Sequence, residues 1–188
     1  MYKIENTGKN EYIFFRRYME MHFIGIFANH SEFEIIKQNI MKRIKGKKLE
    51  ILNINSKNIE NMKNIVFETI VLCGKANIKD IYNNILTKIC NHCKYIIMNT
   101  DSYNDTKIVF NTKVNCITYG LNQKSTITIS SVQEEKAILY IQRNIKNIEE
   151  KEIEMGEFSI NLEDYKQISI ETILAIFTIF LIYNSKND

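Results

Sequence analysis

The sequence predicts an α/β protein: a mostly parallel sheet, extended by an antiparallel three-strand ribbon and closed by an apolar helix. Three observations carry this. Between His22 and Tyr119, short apolar runs ending in polar turn residues alternate with stretches of helical period. That is the pattern of βαβ units with right-handed crossovers. After Gly120 the apolar residues switch to period two, as in strands joined at hairpin distance. Finally, Ile173 to Tyr183 is almost unbroken in apolar residues.

In chain order, Glu11 to Met21 mixes aromatic and charged residues (Tyr12, Phe14, Phe15, Arg16, Arg17, Tyr18) and reads as a lead-in strand or short helix on the sheet edge. His22 to Ala28 is too short for a helix and is the first central strand. Asn29-His30-Ser31 starts a helix, with Ser31 as N-cap and Glu34 at capping-box spacing. Phe33, Ile36, Ile40 and Ile44 form its apolar stripe, and Gly46 stops it. Leu49 to Ile54 is the second strand, Asn58 to Asn64 a short helix, and Ile65 to Cys73 the third strand, closed by Gly74. Ile78 to Cys90 carries apolar residues at 78, 81, 82, 85, 86 and 89, a helical stripe. Tyr95 to Met98 and Val114 to Tyr119 are the fourth and fifth strands. Three antiparallel strands follow, around Thr126 to Ser130, Ala137 to Ile141 and Glu152 to Ile160. Glu163 or Asp164 opens the final helix, which runs from about Ser169 to Asn184.

At 188 residues the chain suits one domain. It divides into a lead-in (1–20), a parallel α/β core (21–120), the ribbon (121–162) and the final helix (163–188), with no linker or repeat between them. Hydrophobic content of 45% with 25% charged excludes disorder. A net charge of +3 is too small to imply a nucleic-acid or acidic-membrane partner. The basic cluster Lys42, Arg43, Lys45, Lys47 and Lys48 lacks aromatic interleaving and reads as a solvated helix terminus. The polar start, Met1 to Asn10, has no apolar core of an export signal. Cys73, Cys90, Cys93 and Cys116 are therefore expected as free thiols in the cytoplasm. A membrane span needs about 20 apolar residues; Ile173 to Tyr183 is shorter, so burial against the sheet is expected.

The stretch Tyr95 to Ser131 also resembles a family. Its fourth strand ends in Asn99-Thr100-Asp101, its fifth in Tyr119-Gly120, and the ribbon and a helix containing Leu174-Ala175-Ile176 follow. This order resembles the central domain of the Mur ligases from His22 to Asn184, best from Tyr95 onward. The resemblance implies a three-layer, P-loop NTPase-like fold. It also implies a nucleotide site whose remnants are Asn29, Ser31, Glu68, Asn99 and Asp101, with Glu68 at the family's magnesium position. The family's phosphate loop ends in Gly-Lys-Thr/Ser. Here Ile26-Phe27-Ala28-Asn29-His30-Ser31 has neither a glycine run nor a lysine, so tight triphosphate binding is not expected. The family's adenine-contacting His and Asn are replaced by Ile168, Ser169 and Thr172. No counterpart of the family's flanking amino-acid and UDP-sugar domains is expected.

The same residues have plainer readings. Glu68 is followed by Ile70, Val71 and Leu72, so it reads as a strand carboxylate, paired with a neighbour or exposed. Asn99 and Asp101 either line a cleft at a strand's carboxyl end or bond their own backbone in a turn. Cys90-Asn91-His92-Cys93 lacks a second close pair for zinc and lies at a helix C-terminus, where the dipole disfavours thiolate. His22 and His30 have no Ser or Cys nucleophile motif beside them. The expectation is a non-catalytic pseudoenzyme: a binding or regulatory module with no catalytic residue, metal or cofactor, acting on a protein partner or on itself. The alternative is an ATP- and magnesium-dependent ligase fragment that works with partner subunits.

Overall fold

The computed structural model describes residues 21–74, 83–102 and 114–184. β1 (Met21–Phe27) is followed by α1 (His30–Arg43), β2 (Lys48–Ile54), the one-turn α2 (Ile59–Met62), β3 (Thr69–Leu72), α3 (Asn83–Asn91), β4 (Tyr95–Asn99) and β5 (Asn115–Tyr119). Next come β6 (Ile127–Val132), β7 (Lys136–Ile141), β8 (Ile145–Lys146), β9 (Glu152–Ile153), β10 (Gly156–Asn161), a 3-10 turn (Leu162–Tyr165) and α4 (Ile170–Tyr183). Eight strands form one sheet in the order β10-β7-β6-β5-β4-β3-β1-β2, and β8 pairs with β9 alone. From β2 across to β6, neighbours run parallel. β7 and β10 continue the sheet antiparallel. The protein is α/β, with a mostly parallel sheet, as the alternating apolar runs predict.

Helices cover both faces of the parallel part. Ile24 and Ile26 of β1, Val71 of β3, Ile97 of β4 and Ile117 of β5 pack in one core with α1 and α4. Their strand neighbours Phe27, Ile70, Leu72, Ile96 and Met98 pack in a second core with Ile59, Leu86 and Ile89 of α2 and α3. Adjacent residues go to opposite faces because a strand has period two. Burial on both faces is why these strands read as continuous apolar runs. α4 is buried from Thr172 to Tyr183 except at Phe180, and it contacts α1, β4, β5 and β6. Each large side chain it buries contributes about 1.5–3 kcal/mol, which explains a helix that is apolar all round. Among the described residues, no helix is long and apolar enough to cross a membrane.

Several boundaries differ from the sequence reading. The N-cap of α1 is Asn29, not Ser31. Asn29 has extended backbone, and its Oδ1 accepts from Glu32 N at 3.0 Å. Ser31 instead sits inside the helix and donates Oγ to Asn29 Oδ1 at 2.7 Å. The helix ends at Arg43, and Gly46 (φ +77°) makes the turn into β2. β3 spans only Thr69–Leu72, because ladder pairing to both neighbours begins at Thr69. Ile65 N bonds back to Met62 O, and Val66 is 70% exposed, so the preceding apolar residues form a loop. The third ribbon strand divides into β9 and β10, and β9 leaves the main sheet to pair with β8. Glu163 and Asp164 belong to the 3-10 turn, capped by Asn161. Gln167, at φ +66°, breaks the chain before Ser169 caps α4. The lead-in (1–20) and the first part of the predicted 78–90 helix lie outside the described residues.

Candidate functional site

The order 2-1-3-4-5 reverses direction between β1 and β3. In open α/β sheets, the crevice at the carboxyl ends beside such a reversal is where ligands usually bind. Asn29 and Ser31 lie there, after β1, and Asn99 and Asp101 lie there, at the end of β4. Their side chains are taken up by neighbouring loops. Asn29 holds the first turn of α1 through Oδ1, and its carbonyl accepts from Phe33 N at 2.9 Å. Asn99 is 3% exposed, and its Oδ1 accepts from Asp101 N at 2.9 Å. The Asp101 carboxylate accepts from Leu121 N at 2.5 Å and from Asn122 N at 3.1 Å. Thr100 and Ser125 hydroxyls bond at 2.6 Å beside it. Gly120 (φ +155°) is required at this junction. A Cβ there would lie 2.6 Å from Asp101 Oδ2 and 2.7 Å from Thr100 Oγ1. The turn after β4 and the turn after β5 are therefore interlocked.

Cys73, at the end of β3, completes this edge. Burial, reinforced by the Glu32 charge, pushes its thiol up to about 12. Glu32 Oε1 accepts from Thr172 Oγ1 at 3.3 Å, tying α1 to the first turn of α4.

Glu68 is at the other end of the sheet. It immediately precedes β3, and Lys94 N and Tyr95 N, at the start of β4, both bond to its carbonyl. Its side chain accepts from His22 Nδ1 at 2.5 Å, and Tyr183 Oη, from the last turn of α4, is 3.5 Å from the same oxygen. Tyr183 also bonds Thr69 Oγ1 at 2.7 Å and stands edge-on to the His22 ring, with centroids 5.7 Å apart. Burial, then the Glu68 charge, pushes the Tyr183 phenol well above its ordinary value. Beside this group a concavity of ≈ 370 Å³ opens, lined by His22, Glu68, His92 and Lys94 with Met21, Phe23, Val66 and Phe67.

A strap crosses the same amino edge. The turn between β8 and β9 is organised by Asn147, 4% exposed, whose Oδ1 accepts from Glu149 N and Lys151 N, each at 2.9 Å. The Asn147 carbonyl accepts from Tyr95 Oη at 2.7 Å, and Ile148 N donates to Ile182 O at 2.9 Å. Lys94 pairs with Glu150 at 2.6 Å, and Lys47 with Glu149 at 2.8 Å. Lys47, with Lys151 at 3.0 Å, holds the Glu149 carboxyl down to about 2, and Lys94 holds the Glu150 carboxyl below its ordinary value.

Of the five residues read as one site, the structure therefore groups four at the carboxyl edge and puts Glu68 at the amino edge. His22, Tyr183 and Lys94, which join Glu68, carried no signal as a group, because they come from three distant parts of the chain. Among the described residues, no cluster of three or more His, Cys, Asp or Glu side chains is arranged to hold a metal ion. The chain matches no family model, and no curated protein is similar to it.

Proposed function

We propose that this chain is a non-catalytic binding or regulatory module of the cytoplasm, a scaffold of the Mur-ligase central type that acts through its surface on a protein partner or a second copy. One observation carries the reading. At the carboxyl edge, where such a scaffold would grip a nucleotide, Asn29 and Asn99 are engaged in holding their own turns and Asp101 in holding the turn after β5. Only Ala28 and Asn29 join β1 to α1. That is too short for a nest of consecutive amides around a phosphate, and no lysine stands in it to neutralise one. ATP and magnesium do not fit these residues. Two further features support association. β10, an outer strand, pairs on one side only among the described residues, leaving backbone donors and acceptors for another chain. The four cysteines are free, in keeping with a reducing compartment.

The test is a thermal melt with and without millimolar Mg-ATP. An unchanged midpoint is expected. A ligand present at about 100 times its Kd would add about 2.7 kcal/mol, so a rise of several degrees would overturn the reading in favour of an ATP-dependent ligase fragment.

A further inference from the structure

We propose that the concavity at the amino edge of the sheet binds a small planar molecule carrying a neutral O–H or N–H donor, of which phenol is the simplest, and that Nε2 of His22 reads that donor. This goes beyond the surface reading above and rests on a different part of the molecule.

The chemistry follows from the Glu68 contact. A carboxylate accepts and cannot donate, so the proton on the 2.5 Å bond sits on His22 Nδ1. In the neutral ring, Nε2 then carries a lone pair and accepts. Nε2 has no hydrogen-bond partner among the described residues, and the His22 side chain is 21% exposed, on the wall of the ≈ 370 Å³ concavity. The ring cannot swing away freely, because Glu68 holds one nitrogen and the Tyr183 ring packs against it in a T-shaped arrangement. A fixed acceptor in a concave wall selects a donor on the ligand.

Shape and charge narrow the class. Met21 is 40% exposed and Val66 70% exposed, and both lie on this one rim, giving a flat molecule an apolar surface to cover. Lys94 also lines the cavity, but its ammonium is held by Glu150 at 2.6 Å and by the Ile148 carbonyl at 3.1 Å. The positive charge is answered from within, so an anion gains little here. A ring with one donor suits the balance of charge and occupies part of the concavity.

Diethyl pyrocarbonate acylates imidazole nitrogens, and peptide mass spectrometry reads His22, His30 and His92 separately. Phenol should protect His22 saturably, slowing its labelling roughly tenfold at about ten times the Kd, while His30 reacts at its usual rate. Anisole, which has the ring but no donor, should protect far less. Val66→Asp, a change on an exposed rim that leaves the core intact, should weaken the phenol effect. Protection by benzoate in place of phenol would mean that Nε2 donates, and would overturn the proposal. So would protection of all three histidines alike, or of none.

Discussion

Replacing Asp101 with Asn tests whether this carboxylate is a strut or a ligand group. Asp101 bonds two consecutive amides, Leu121 N at 2.5 Å and Asn122 N at 3.1 Å. An Asn has one acceptor oxygen, so one amide keeps its bond and the other meets an NH₂ group. A hydrogen bond to a charged acceptor is worth about 1.5–3 kcal/mol. Asp101 is exposed, and water replaces part of what is lost, which brings the expected cost to about 1 kcal/mol. For a chain of 188 residues, that lowers the melting midpoint by about 2–4 °C. Asp101→Ala should cost at least as much. Differential scanning calorimetry, with urea melts to obtain the free-energy change, makes the measurement. A midpoint within about 1 °C of the parent would refute the strut and return Asp101 to the list of groups free to meet a ligand.

Asn147→Ala removes the acceptor for Glu149 N and Lys151 N from a buried position; the expected loss is about 2 kcal/mol, read as a shift in the urea midpoint. Glu149 titrates at about 2 in the fold against 4.5 for an ordinary glutamate. Its lowered value means that its contribution is complete above about pH 4.5 and disappears as the pH falls toward about 2. The stability gap between the parent and Glu149→Gln should therefore close as the pH falls from about 4.5 to about 2, and should narrow in high salt at neutral pH, because the pair is exposed to solvent. Burial raises all four thiols, Cys73 and Cys93 up to about 12. At pH 8 a disulfide reagent such as DTNB should react slowly with the native protein, first at half-buried Cys116, and should release all four thiols rapidly in denaturant. Fast stoichiometric labelling of the native state would contradict the buried placement.

The central strands were legible because burial on both faces leaves few polar residues within them. β1 and β4 are runs of this kind, and α1 is marked by Phe33, Ile36 and Ile40 on one face. α4 was legible for the same reason, being apolar on every side. What escaped the sequence has identifiable causes. Asn29 and Ser31 are both good N-caps, and the extended backbone that chose Asn29 is not encoded in residue type alone. Ile65 and Val66 favour strand by composition, yet the register that pairs Ile24 with Thr69 leaves them in the approach loop. That register also moved Glu68 to the amino edge, beside a histidine 46 positions away and a tyrosine 115 positions away. β8 and β9, two residues each, are too short to show any period. The order of strands within the sheet is likewise silent in the chain, since similar apolar runs would serve several orders.

The strap gives the chain's assembly a late step. Lys47 and Glu149, 102 positions apart, meet only after everything between them has been laid down, and Ile148 waits on the last turn of α4. Loops of that span are costly to close and are rewarded only at the end. A truncated chain ending near the fifth strand would lack both the lid on its lower rim and the helix over its face. The ribbon and final helix therefore close the core last, and the contacts of the strap should be among the first to open on unfolding.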